Sequence, residues 1–150
     1  MVVPSAAEWP QPWTSSETQV GRVVYVAVTL GIRVVVHSQY LAEQSDVRAG
    51  RFVFAYTIRI ANESDRTVQL RSRHWRILHG NGKSEEVRGP GVVGKQPVIA
   101  PGAEFRYTSG CVLGTPHGTM QGTYDMTLED GSLIEVQIPA FSLAAPHTLN

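Results

Sequence analysis

The chain has 150 residues, a formal net charge of zero, 42% hydrophobic residues and 17% charged ones. A chain of this size hides roughly 70% of its unfolded surface on folding, enough for one domain with a real core. The composition excludes wholesale disorder. The charge balance gives no global attraction for nucleic acid or anionic lipid, so neither is expected as a partner.

Met1 to about Gly21 contains Pro4, Pro10 and Pro12, several Ser and Thr, and the pair Trp9 and Trp13. It shows no strand or helix period. Residues 1–22 therefore read as a flexible leader or an irregular arm, with anchoring of Trp9 and Trp13 on the domain or on a partner as the alternative to chance aromatics, and residues 23–150 as the folded domain. The leader lacks the basic and then apolar regions of a secretory signal. No run approaches the ~18 apolar residues of a membrane span, so membrane insertion is not expected. Cys111 is the only cysteine, which excludes an internal disulfide. A reducing, cytoplasmic setting is the expectation.

From Val24 to Val36 apolar residues alternate with a period of two, which predicts one long strand with a bulge or bend at Gly31. Phe52, Phe54, Tyr56, Ile58 and Ile60 line one face of a second strand, ended by the turn cluster Asn62–Asp65. In the third, Thr67–Leu78, the apolar parity shifts from Val68 and Leu70 to Trp75 and Ile77. Such a shift predicts a β-bulge near Ser72 or Arg73. His79-Gly80-Asn81-Gly82 reads as a hairpin loop. Short strands over Ser84–Arg88 and Lys95–Ile99 flank a glycine-rich loop. Ala100-Pro101-Gly102 is a turn before a strand over Glu104–Val112. Met120, Tyr124, Met126 and Leu128 alternate in the next strand. Glu129-Asp130-Gly131 turns the chain into Leu133–Ile138, after which Pro139 reduces the chain to an edge or a tail. Seven or eight strands with no amphipathic helix predict an all-β antiparallel sandwich of two sheets, immunoglobulin-like or fibronectin type III-like.

Three stretches bear on chemistry. Gly89-Pro90-Gly91-Val92-Val93-Gly94 has the G-x-G-x-x-G spacing of a dinucleotide fingerprint, but Pro97 blocks a following helix and no βαβ unit surrounds it. What survives is an anion loop in which Arg88, Gly89, Gly91, Gly94 and Lys95 receive phosphate; the competing reading is a tight inter-strand turn. His37, His74, His79, His117 and His147 show no ligand spacing, and no metal site is expected. Cys111, in an alternating apolar strand, reads as a small buried hydrophobe rather than a nucleophile. The basic and aromatic run Arg71–Arg76 reads as a strand with Trp75 inside and the arginines outside. From Arg66 to Lys95 seven Lys or Arg face only Glu85 and Glu86, whereas His117 to the end holds four acids and no Lys or Arg. This asymmetry fits pairing between strands or an anion-attracting middle segment.

Several segments together resemble the ApaG family. They are Arg71–Trp75, Val87–Pro97, Tyr107–Cys111, Gly118–Met126 and Ile138–Leu143. The resemblance runs from about Tyr25 to the C-terminus. It implies a fibronectin type III or immunoglobulin-like sandwich, an association with cobalt resistance and magnesium efflux, and proximity to the locus of a diadenosine tetraphosphate hydrolase. Similar domains in eukaryotic F-box proteins and a polymerase-δ-interacting protein look like interaction modules. No catalytic residue and no cofactor transfer with the resemblance. The expectation is a non-catalytic module that binds a protein partner through one sheet face or its loops, with homodimerisation through an exposed edge as an option. Its alternative is a sensor of divalent metal or of a phosphate-rich nucleotide, such as diadenosine tetraphosphate, at Gly89–Gly94.

Overall fold

A computed structural model of the protein describes residues 23–146. The expectations for the leader, for Trp9 and Trp13, and for His147 lie outside the described residues.

The described chain forms two antiparallel sheets packed face to face, a β-sandwich. One contains β1 (Tyr25–Thr29), β2 (Ile32–Tyr40), β3 (Phe52–Asn62) and β7 (Glu104–Leu113), in the order β1-β2-β3-β7. The other runs β5 (Ser84–Pro90), β4 (Val68–His79), β8 (His117–Leu128), β9 (Leu133–Ala144), with the two-residue β6 (Val98–Ile99) also paired to β4. One short 3-10 turn, Ala42–Gln44, interrupts the connection from β2 to β3.

The first element departs from the alternation reading. Val24–Val36 is not one bent strand but the hairpin β1–β2, with Thr29 opposite Ile32 and Tyr25 opposite Val36. Leu30 and Gly31 have φ of 51° and 82°, the backbone of a two-residue hairpin turn. Reversal at an even-numbered turn splits the apolar set. Ile32, Val34 and Val36 lie in the core, whereas Val26 and Val28 are about half exposed on the outside. Counting this hairpin and β6 gives nine strands among the described residues, above the seven or eight expected. Lys95–Ile99 is a strand only at Val98–Ile99, because Pro97 has no N–H to donate and its carbonyl instead accepts from Leu70 N at 3.0 Å.

Two irregularities shape the five-stranded sheet. The predicted bulge is present in β4: the register against β8 shifts between Leu70 and Ser72, which lets Val68, Leu70, Trp75 and Ile77 all point inward. The second is in β9, where Met120 opposes Phe141 but Gly122 opposes Ile138. The extra residue falls at Pro139–Ala140, where a missing donor is tolerated. Pro139 therefore does not end the strand. β9 is an edge strand, as Pro139 suggests, but it continues and buries Phe141 and Leu143.

The sheets meet through aromatic side chains. Tyr56 of β3 contacts Trp75 of β4 and Phe141 of β9, with ring centroids 5.4 and 5.7 Å apart, and Trp75 and Phe141 are 5.9 Å apart. Nearby, the Tyr107 hydroxyl of β7 and the Tyr124 hydroxyl of β8 share a buried hydrogen bond across the core. Burial pushes the phenols of Tyr56, Tyr107 and Tyr124 well above their ordinary range. At one end of the sandwich, Asn62 is almost wholly buried and fully bonded. Its Nδ2 donates to the Arg66 and Ile99 carbonyls at 2.7 and 2.9 Å, and its Oδ1 accepts from Ser64 N and Oγ. One amide thus ties the β3–β4 turn to β6. Asn62→Ala strands several buried groups, and we expect a loss of about 2–4 kcal/mol, read as a lower urea midpoint with an unchanged slope.

Candidate functional site

β5 ends at Pro90, and the glycine loop that follows folds on itself. Gly91 N donates to the Arg71 carbonyl at 2.8 Å. Val92 and Lys95 exchange two backbone hydrogen bonds, both 2.8 Å, around the turn residues Val93 and Gly94. Those two residues have φ of 43° and 79°. Val92 is buried and plugs into the main core. A loop that cradles phosphate directs several amides outward at one point; here the Gly91, Val92 and Lys95 amides bond inward. Lys95 stays at the exposed tip, but the Arg88 guanidinium runs back along the sheet to within 3.6 Å of Glu86.

The glycines have local reasons. A Cβ on Gly91 would lie 2.3 Å from the Lys95 carbonyl oxygen, and one on Gly89 would lie 3.0 Å from the Arg73 guanidinium. That guanidinium departs from the expected outward arginines. Past the bulge Arg73 shares the inward parity of Trp75, and its Nη1 donates to the Pro90 and Gly91 carbonyls at 3.0 and 2.9 Å. Gly94 has a positive φ but open space around it. Gly94→Ala should therefore cost about 1 kcal/mol, the left-handed backbone penalty alone, and Gly91→Ala clearly more, as compared by thermal or urea unfolding.

The outward surface beside this loop brings together residues that sequence spacing kept apart. His74 and Arg76 of β4 stand opposite Arg88 and Glu86 of β5 on one side, and opposite Thr123 and Gln121 of β8 on the other. His74 Nε2 is 3.0 Å from Glu86 Oε1, and Arg76 Nη2 is 3.6 Å from Glu86 Oε2. The His74 hydrogen bond first, then the charges of His74, Arg76 and Arg88, hold the Glu86 carboxyl below its ordinary value. Glu86 is solvent-exposed, so the energetic weight of these pairs is small. Three cationic or imidazole groups surround one carboxylate.

Beyond them, at the β9 bulge, lies a depression of about 440 Å³, lined by His74, Arg76, Gln121, Thr123, Gln137 and the residues Ile138, Pro139 and Ala140. Gly122 forms part of its floor, and a Cβ there would sit 2.2 Å from the His74 carbonyl oxygen. In the sequence His74 and Arg76 belong to the basic and aromatic run Arg71–Arg76, which reads as a structural strand, and nothing there singles out Gln121, Thr123 or Gln137. The detectable signal was Pro139 inside an otherwise alternating strand.

The remaining candidates are scattered. Cys111 is fully buried, with its thiol pushed up to about 12 by burial and secondarily by the charge of Glu85, far from the thiolate needed for nucleophilic attack. His79 Nε2 donates to Glu85 Oε1 at 2.7 Å, and His117 packs against Gly80. Among the described residues no three of His, Cys, Asp and Glu converge as a metal site would require. No helix of the described chain is long and apolar enough to cross a membrane.

The fold and its surface define a two-sheet β-sandwich whose glycine loop and bulged outer face are built from the segments that resemble ApaG. Comparison with known proteins agrees: a family model described as the ApaG domain matches residues 42–128. The chain is 56% identical over 124 residues to Protein ApaG of Methylobacterium nodulans, covering 83% of this chain and 95% of that protein. It is 55% identical, with the same coverage, to Protein ApaG of Rhodospirillum centenum. A crystal structure from Bordetella pertussis carrying the name ApaA superposes with a TM-score of 0.75 at 48% identity, over 84% of this chain and 99% of that one. A second X-ray structure, a structural-genomics target, gives a TM-score of 0.75 at 42% identity over 83% of this chain and 94% of that one. The chain belongs to the ApaG family.

Proposed function

We propose that the protein is a non-catalytic binding module, and that the outer face of the five-stranded sheet receives an acidic segment of a protein partner. The observation that carries this reading is the depression at the β9 bulge, where His74, Arg76, Gln121, Thr123 and Gln137 line one concave surface. Arg76 and Gln121 present side-chain donors, and Arg76 and Arg88 are largely exposed, with Glu86 the carboxylate paired to both among the described residues. Guanidinium and amide groups on a rigid sheet suit carboxylates and extended backbone. In this reading the setting is cytoplasmic, and the link to cobalt resistance and magnesium efflux arises from an adaptor contact with another protein.

The competing ligand is a phosphate-rich nucleotide at Gly89–Gly94, supported by the exposed Lys95 at the loop tip and by Arg88 close by. The two readings separate in one experiment. A partner captured by the full chain is purified and titrated into isotope-labelled protein. Shifts at His74, Arg76, Gln121 and Thr123, with binding at least tenfold weaker in Arg76→Glu and weakened by salt, are the expected result. Movement confined to Val93 and Gly94 on adding diadenosine tetraphosphate, or turnover of a substrate by the purified domain, overturns the reading.

A further inference from the structure

The two edges of the five-stranded sheet differ. At one, β9 packs beside β1, and Gln137 N donates to Thr29 Oγ1 at 3.1 Å. At the other, β5 pairs only with β4 among the described residues. Two hydrogen bonds fix the phase of that ladder: His79 N donates to the Lys83 carbonyl and Gly91 N to the Arg71 carbonyl, both at 2.8 Å. Bonded and non-bonded pairs alternate between them along an unbroken register. Glu85, Val87 and Gly89 therefore turn their backbone groups to β4. Ser84, Glu86 and Arg88 turn theirs outward, as does Pro90, which has no N–H. Among the described residues no other strand bonds to them. These four residues are also exposed. A row of unpaired N–H and C=O groups is a template for another strand.

We propose that two copies of this chain join edge to edge through antiparallel β5 strands, with Val87 on the twofold axis and Glu86 of each copy paired to Arg88 of the other. Charge selects both the occupant and the register. Like charges directly opposite destabilise a strand pair, and opposite charges stabilise it. Of the in-phase registers around the strand centre, two oppose like charges, Glu86 to Glu86 or Arg88 to Arg88. The third, centred on Val87, opposes Glu86 to Arg88 twice and overlaps the whole seven-residue strand, of which Val87 is the midpoint. Such self-complementarity is what an isologous interface requires, and a foreign strand would meet it only by chance. Each Glu86–Arg88 pair exchanges both backbone bonds. Ser84 N reaches the Pro90 carbonyl, so the donor that Pro90 lacks is missed only at the ends of the ladder. Arg88 reaches its own Glu86 only at 3.6 Å and its side chain is 71% exposed, so turning to the second copy costs little. β7, the edge of the other sheet, carries Glu104 and Arg106 on either side of Phe105, but a twofold there lies beside the first residue of a ten-residue strand and leaves most of it unpaired. The β5 axis stands perpendicular to the sheet. It merges the two five-stranded sheets into one and turns both β9 depressions to the same side, where a partner with two acidic segments meets both at once. The association itself does not depend on what the depression binds.

Sedimentation equilibrium of the full chain over a concentration series tests this, with Glu86→Arg and Arg88→Glu measured singly and as an equimolar mixture. The unsubstituted chain is expected to dimerise, and the Glu86 and Arg88 amides to gain hydrogen-exchange protection as concentration rises. Either substitution alone sets like charges opposite in both pairs and should weaken self-association about tenfold. Mixing the two variants restores an opposite charge at every pair, so a heterodimer is expected at close to the original affinity, which also shows that both variants fold. An unsubstituted chain that stays monomeric throughout, single variants that dimerise as strongly as it does, or a mixture that associates no better than its components overturns the proposal. Concentration-dependent protection elsewhere but not at Glu86 and Arg88 overturns it too.

Discussion

The structure depends on the aromatic contact between its two sheets. Each sheet alone would expose a row of large apolar side chains. Tyr56 reaches across to Trp75 and Phe141, and Tyr107 meets Tyr124 through their hydroxyls. These contacts bind β3 and β7 on one side to β4, β8 and β9 on the other. The rings remove apolar area from water, and the phenol pair satisfies two hydroxyls that burial would otherwise strand. Since Phe141 lies past Pro139, the aromatic cluster exists only because β9 continues through its bulge. The irregularity that opens the outer depression is therefore the one that delivers Phe141 to the core.

This coupling accounts for the division of labour on the surface. The loop at Gly89–Gly94 is tied to the core by Val92 and to β4 by Arg73, whose guanidinium occupies the space that side chains at Gly89 would fill. It is a turn built from inside. Beside it, the outer five-stranded face carries His74, Arg76 and Gln121 on strands whose spacing is locked by Gly122. Rigid strands hold a few polar groups around a shallow depression there, while burial keeps the Cys111 thiol and the Tyr56 and Tyr124 phenols of the interior in their protonated forms.

Much of the architecture was legible in the sequence because β-strands have a short, exact period. The inward row Phe52–Ile60, the parity shift between Leu70 and Trp75, and the Asn81–Gly82 hairpin all follow from local rules. The misreadings share a cause: alternation shows which residues share a face but not where the chain reverses. Leu30, a residue that disfavours positive φ, hides the β1–β2 turn, so alternation alone puts Val26 and Val28 on the same face as Ile32 and Val34, whereas they point out. The surface at the β9 bulge was less legible still. Gln121, Thr123 and Gln137 meet only through strand pairing, which no local spacing reveals.

The sealed inter-sheet contact is tested most directly by alkaline titration of the tyrosines, followed together with the far-ultraviolet signal of the sheets. Tyr56, Tyr107 and Tyr124 are protonated in the fold, and burial, the largest cause for each, raises their pKa above the unfolded value near ~10. Their contribution to stability is therefore complete below that pH and declines as pH rises past it. The account predicts that these three phenols ionise only as the sheet signal collapses, in one cooperative step. Phenolate absorbance from all five tyrosines of the chain while the sheets remain intact would contradict it.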